Sequence, residues 1–100
     1  MVSWLLTPSI RREITLELIR RGRTQREISR ILKVTEAAVS QYKNSKRGKA
    51  YHFSNKEITW VQEVARTIDL DPNSATTEVA KLAEKIQELN PSLMKVRAVA

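Results

Sequence analysis

Cysteine is absent from this 100-residue chain, and histidine occurs once, glycine twice and proline three times. Without cysteine there are no disulfides and no thiolate metal sites, and His52 cannot build a zinc site alone. With two glycines there is no Gly-rich loop to cradle a phosphate. No paired acids stand at useful spacing outside helix faces, so no catalytic constellation assembles and an enzyme is not expected. No cofactor and no metal are expected either. Long apolar runs are also missing: Met1–Leu6 is apolar but stops at Thr7-Pro8, far short of a signal-peptide core or a membrane span. The expectation is a soluble, cytoplasmic protein with no membrane partner. Aromatic residues are few, whereas Ile, Leu, Val, Ala, Glu, Lys and Arg abound. Straight-chain residues lose little rotamer freedom in a helix, so the composition predicts an all-α fold.

The net charge of +7 is unevenly spread. Residues 1–52 hold 12 Lys/Arg against 4 Glu, and residues 53–100 hold 6 against 7 acids. A basic half joined to a nearly neutral half suits a polyanion-binding module attached to a packing or assembly module. A generally soluble positive surface is the plainer reading.

Local signals divide the chain into five helices. Thr7-Pro8 reads as a cap and first helical residue, with Ile10, Ile14 and Leu18 on one face and Gly22 as C-cap, which predicts a helix over 8–21. Thr24-Gln25-Arg26-Glu27 fits a capping box, and Ile28, Ile31 and Leu32 give the helix that follows an inward stripe ending near Lys33. Thr35 caps a third helix over about 36–46, with Ala38, Val39 and Tyr42 inward. After a basic connection from Asn44 to His52, Ser54-Asn55-Lys56-Glu57 opens a fourth helix over 55–68. Ile58, Val61, Val64, Ala65 and Ile68 face inward there. Ser74 caps a fifth over 75–89, and Asn90-Pro91 leaves room for a short sixth turn. One domain over 1–100 is expected, with a helix-turn-helix at about 24–46 and C-terminal helices within 55–98 for packing or dimerisation.

Thr24 to Lys43 (TQREISRILKVTEAAVSQYK) carries the functional signal. Two short helices that cross steeply need a small residue at the crossing, a sharp turn, and apolar residues that lock one to the other. Ser29, Lys33-Val34 and Val39 stand at spacings that meet those needs. The outer face of the second helix then presents Thr35, Glu36, Ala37, Ser40, Gln41 and Asn44, free to lie in a major groove. These are short or amide side chains, able to approach base edges. Phosphate contacts are expected from Arg23 and Arg26 and from the cluster Lys43, Lys46, Arg47 and Lys49. Glu36 has two readings that stand level: an acid stabilising the helix dipole, or an acceptor for cytosine N4.

Residues 26–48, REISRILKVTEAAVSQYKNSKRG, resemble the helix-turn-helix of lambda-repressor-like regulators of the xenobiotic-response-element type. More narrowly they resemble small archaeal predicted transcriptional regulators. The likeness rests most on Val34-Thr35-Glu36-Ala37-Ala38-Val39-Ser40-Gln41-Tyr42 with the trailing Lys46-Arg47-Gly48, and it covers the first helix loosely. It implies that Gln25 helps hold the phosphate backbone, and that Thr35, Glu36, Ala37, Ser40 and Gln41 face bases or phosphates. Two positions depart from the pattern. The crossing usually holds Ala and here holds Ser29, which is also small. The turn usually holds a left-handed Gly and here holds Lys33, at a steric cost of about 1 kcal/mol.

In the C-terminal half Val79, Leu82, Ile86, Leu89, Leu93 and Val96 step by three and four residues. That seam either packs on the domain's own core or forms a homodimer interface. Trp4, Leu5 and Leu6 could supply a dimer contact, and Trp60 reads as core or interface. The leading expectation is a sequence-specific regulator of transcription that binds double-stranded DNA as a homodimer. An architectural nucleoid protein that ignores sequence, and a protein-interaction adaptor or antitoxin-like component, are the alternatives.

Overall fold

Leu6, Ile10, Ile14 and Leu18 recur every four residues, and all four are wholly buried along one face of the first helix. The computed structural model describes residues 6–44 and 46–90 and has an all-α fold of five helices. They are α1 (Leu6–Arg20), α2 (Gln25–Leu32), α3 (Glu36–Lys43), α4 (Asn55–Leu70) and α5 (Ala75–Leu89), with a 3-10 turn at Pro72–Ser74 before α5. The first helix touches all four others and is the post around which they stand. Ile28, Ile31 and Leu32 of α2, Val39 of α3, Val61 and Ile68 of α4, and Val79, Leu82 and Ile86 of α5 complete one core with it. Each such side chain contributes about 1.5–3 kcal/mol on burial.

The helix ends follow local chemistry. Arg23 N–H donates to Leu18 O at 3.0 Å and Gly22 N–H to Ile19 O at 2.9 Å, with Gly22 at φ +95°, so a Schellman cap closes α1. The same device closes α2: Lys33 sits in the left-handed region (φ 57°, ψ 45°) and Val34 N–H donates to Ser29 O at 3.0 Å. Both capping boxes form, Thr24 with Glu27 and Ser54 with Glu57.

Several boundaries differ from the sequence expectation. The first helix already includes Leu6, so Thr7 lies inside it and is not the cap. Pro8 is still tolerated, because first-turn N–H groups have no intrahelical partner to lose. The third helix stops at Lys43, three residues early, and α4 runs on to Leu70. Ser74 does not cap α5: it has helical φ/ψ, and its hydroxyl donates to Asp71 O at 2.7 Å. Ile58 and Val64 are half-buried rather than core. Thr15 is fully buried, and among the described residues its hydroxyl has no hydrogen-bond partner.

The C-terminal seam divides in the same way. Val79, Leu82 and Ile86 are buried in the domain's own core, whereas Leu89 is 60% exposed. Leu93, Val96 and the proposed sixth turn lie outside the described residues, as do Trp4 and Leu5. Leu6 is core. Trp60 is half-buried, with Lys85 Nζ 4.0 Å and Lys56 Nζ 5.6 Å from its ring centroid.

Candidate nucleic-acid interface

The third helix is anchored from beneath and open above. Thr35 Oγ1 accepts from Ala38 N–H at 3.0 Å and starts it. Ala38, Val39 and Tyr42 are buried, which fixes the helix's rotation about its axis. The opposite face therefore points outward: Glu36, Ala37, Gln41 and Asn44 are exposed, and Ser40 is half-buried among them. Asn44 Nδ2 lies 3.5 Å from Ser40 Oγ, a long contact that leaves both groups available. The stripe of short and amide side chains foreseen at these positions is thus assembled on one surface. Thr35 joins it at the helix start, its hydroxyl oxygen already engaged as the cap.

Several cations are exposed on the helix-turn-helix and the connection after it. Lys43, Lys46, Arg47 and Lys49 are exposed, and so is Arg26 on α2, while Gln25 opens α2 half-buried. Among the described residues, no carboxylate lies within ion-pair distance of any of these five cations. Lys46 N–H donates to Gln41 O at 2.8 Å, which ties the connection to the end of α3. The Arg47 guanidinium stands 6.0 Å from the Tyr42 ring centroid, at the outer limit of a cation–π contact.

The connection after α3 then dives onto α1. Gly48 has φ +78°, and a Cβ there would lie 2.5 Å from Pro8 O and 2.8 Å from Arg12 Cβ. Three residues on, Tyr51 N–H donates to the buried Ser9 Oγ at 3.1 Å. Tyr51 and Phe53 meet edge to face, centroids 4.8 Å apart, and Phe53 packs against the core. His52 is exposed.

Arg23, of which a phosphate contact is expected, is engaged within the protein. Its Nε donates to Asp69 Oδ1 and its Nη2 to Asp69 O, both at 2.8 Å, and Nη1 lies 3.3 Å from Glu27 Oε2. The guanidinium thus fastens the α1–α2 corner to the end of α4. The Asp69 hydrogen bond raises the Arg23 pKa, partly opposed by desolvation.

Sequence reasoning also missed a buried carboxylate. Glu57 was recognised only as the third residue of a capping box, yet its second oxygen gathers two distant elements. Oε1 accepts from Ser54 N–H at 2.9 Å, and Oε2 accepts from Tyr51 Oη–H at 2.8 Å and from Asn90 Nδ2 at 3.2 Å. The connection, the start of α4 and the end of α5 meet there. Burial, and then the neighbouring carboxylate, push the Tyr51 phenol well above its ordinary pKa, so it stays protonated as a donor. An acid with an extra oxygen beyond its capping bond was the only local hint.

Among the described residues no cluster of His, Asp or Glu could hold a metal, and no helix is long and apolar enough to cross a membrane. Neither a family model, a curated protein nor a solved structure matches the chain.

Proposed function

We propose that this chain is a sequence-specific regulator of transcription that lays α3 in the major groove of double-stranded DNA. The observation that carries the reading is the outward α3 stripe of Glu36, Ala37, Ser40, Gln41 and Asn44, together with exposed Arg26, Lys43, Lys46, Arg47 and Lys49, which have no ion-pair partner among the described residues. Phosphates replace solvent around the cations, and the short side chains reach base edges. Gln25 supplies a further backbone contact at the start of α2. Cytoplasmic location and a homodimer reading two half-sites belong to this proposal, and Leu89, exposed at the end of α5, offers an apolar contact for the second copy.

Selection of bound sequences from a random duplex pool tests it, with wild type and a Ser40→Ala/Gln41→Ala variant in parallel. The expected outcome is an enriched, roughly palindromic motif that fades in the variant. In a salt titration of the selected duplex, Lys46→Ala/Lys49→Ala lowers the slope of log affinity against log salt by about 1.8, at about 0.9 per phosphate contact. Retention without enrichment in either protein refutes base reading and leaves an architectural, sequence-blind role. No retention at physiological salt refutes DNA binding and returns the fold to protein interaction.

A further inference from the structure

Three helices of this protein start on a Ser or Thr cap, and their acids are used in two different ways. In α2 and α4 the acid stands third in the helix, and Glu27 and Glu57 each bend back to accept from the backbone N–H of their cap, both at 2.9 Å. In α3 the third residue is Ala38, and the acid stands first, at Glu36. From that position it makes no capping bond. Among the described residues, no hydrogen bond and no ion pair engages its side chain. Glu36 is exposed at the leading end of the stripe, in a helix-turn-helix whose other exposed charges are mostly cations.

A free carboxylate at that place opposes attraction to a polyanion. Every duplex that offers it only acceptors leaves it desolvated and repelled. One base edge relieves this. In the major groove cytosine presents the N4 amino donor with no neighbouring acceptor on the same base. Adenine presents its N6 donor beside the N7 acceptor, guanine presents two acceptors, and thymine an acceptor and a methyl group.

We infer, resting on the DNA reading above, that Glu36 is the specificity-determining residue of α3: its carboxylate accepts from a cytosine N4 amino group at one position of each half-site and weakens binding to all other duplexes. Gln41 and Ser40 add contacts, and Glu36 sets the discrimination. The same side chain that improves the cognate complex therefore lowers affinity for random DNA.

The test runs pool selection with wild type, Glu36→Gln and Glu36→Ala, and measures affinity for a random-sequence duplex at low salt for each. Wild type is expected to require a C·G pair at one half-site position, with about tenfold or greater loss on changing it. Glu36→Gln shifts that position toward adenine, whose N6 and N7 match an amide. Glu36→Ala loses the preference there while other positions stay. Both variants bind random duplex several-fold more tightly than wild type. Thermal melting of all three confirms that the variants are folded. If the variants select the wild-type motif with its C·G position intact, the inference is overturned while the DNA reading stands. If wild type retains no duplex, both fall together.

Discussion

Alanine at Gly48 and alanine at Gly22 pose the same backbone problem in different surroundings. Both glycines have positive φ, +78° and +95°, so a side chain at either is strained by about 1 kcal/mol or slightly more. Around Gly22 nothing lies within 4 Å of an added Cβ. At Gly48 the added carbon would meet Pro8 O at 2.5 Å, Arg12 Cβ at 2.8 Å and Pro8 C at 3.1 Å. Two of these three neighbours are helix backbone, which cannot rotate away, so the connection itself must lift. Overpacking of this kind costs about 1–3 kcal/mol beyond the strain. The expected totals are about 1 kcal/mol for Gly22→Ala and about 2–4 kcal/mol for Gly48→Ala. At roughly 4–8 °C per kcal/mol, thermal melting should fall by about 4–8 °C for the first and by about 8 °C or more for the second. Urea midpoints supply an independent ranking. Equal losses for the two variants would refute the close approach of the connection to α1.

Lys33→Gly relieves the left-handed turn between α2 and α3 and should raise stability by about 0.5–1 kcal/mol, read as a higher urea midpoint with unchanged slope. Thr15→Val replaces a buried, unbonded hydroxyl by a methyl of similar shape and should raise stability by about 1 kcal/mol; a loss in thermal melting would show that the hydroxyl is bonded after all. The Glu27 pKa is lowered, chiefly by the Thr24 backbone N–H. A lowered folded pKa gives stability that is full above the ordinary value of 4.5 and is lost as pH falls through the folded value. The gap in urea midpoint between wild type and Glu27→Gln should therefore be widest near neutrality and close on acidification; a gap independent of pH would contradict the capping role.

What the sequence made legible was local. Thr24 and Glu27 lie three residues apart, as do Ser54 and Glu57, and their reciprocal bonds need nothing from the rest of the chain. The buried faces of α1 and α3 and the outward set on α3 follow from spacing within one or two turns, and the left-handed state of Lys33 was implied by the resemblance. Several of the pairings that stayed hidden depend on distance. Arg23 lies 46 residues from Asp69, and no local pattern distinguishes an arginine awaiting that partner from one awaiting a phosphate. Asn90 reaches Glu57 across 33 residues. Ser74 has the composition of a cap, but the turn from Pro72 had already begun the helical path, so its hydroxyl turned back to Asp71. The descent of Gly48 onto Pro8 is another contact between remote segments.

The two motif helices are eight residues each. Isolated helices shorter than about 12–15 residues hardly persist in water. Neither α2 nor α3 is therefore a part that could be lifted out: a peptide of residues 24–43 would keep every letter of the exposed face and lose its shape. Transplanting the exposed letters of α3 onto another helix would likewise transfer chemistry without aim. The angle at which those side chains are presented belongs to α1, whose buried ridge both short helices lean on. If the proposed DNA reading holds, substitutions inside α1 act as fine adjustments of aim, and binding sites can diversify through the outer letters while that ridge stays fixed.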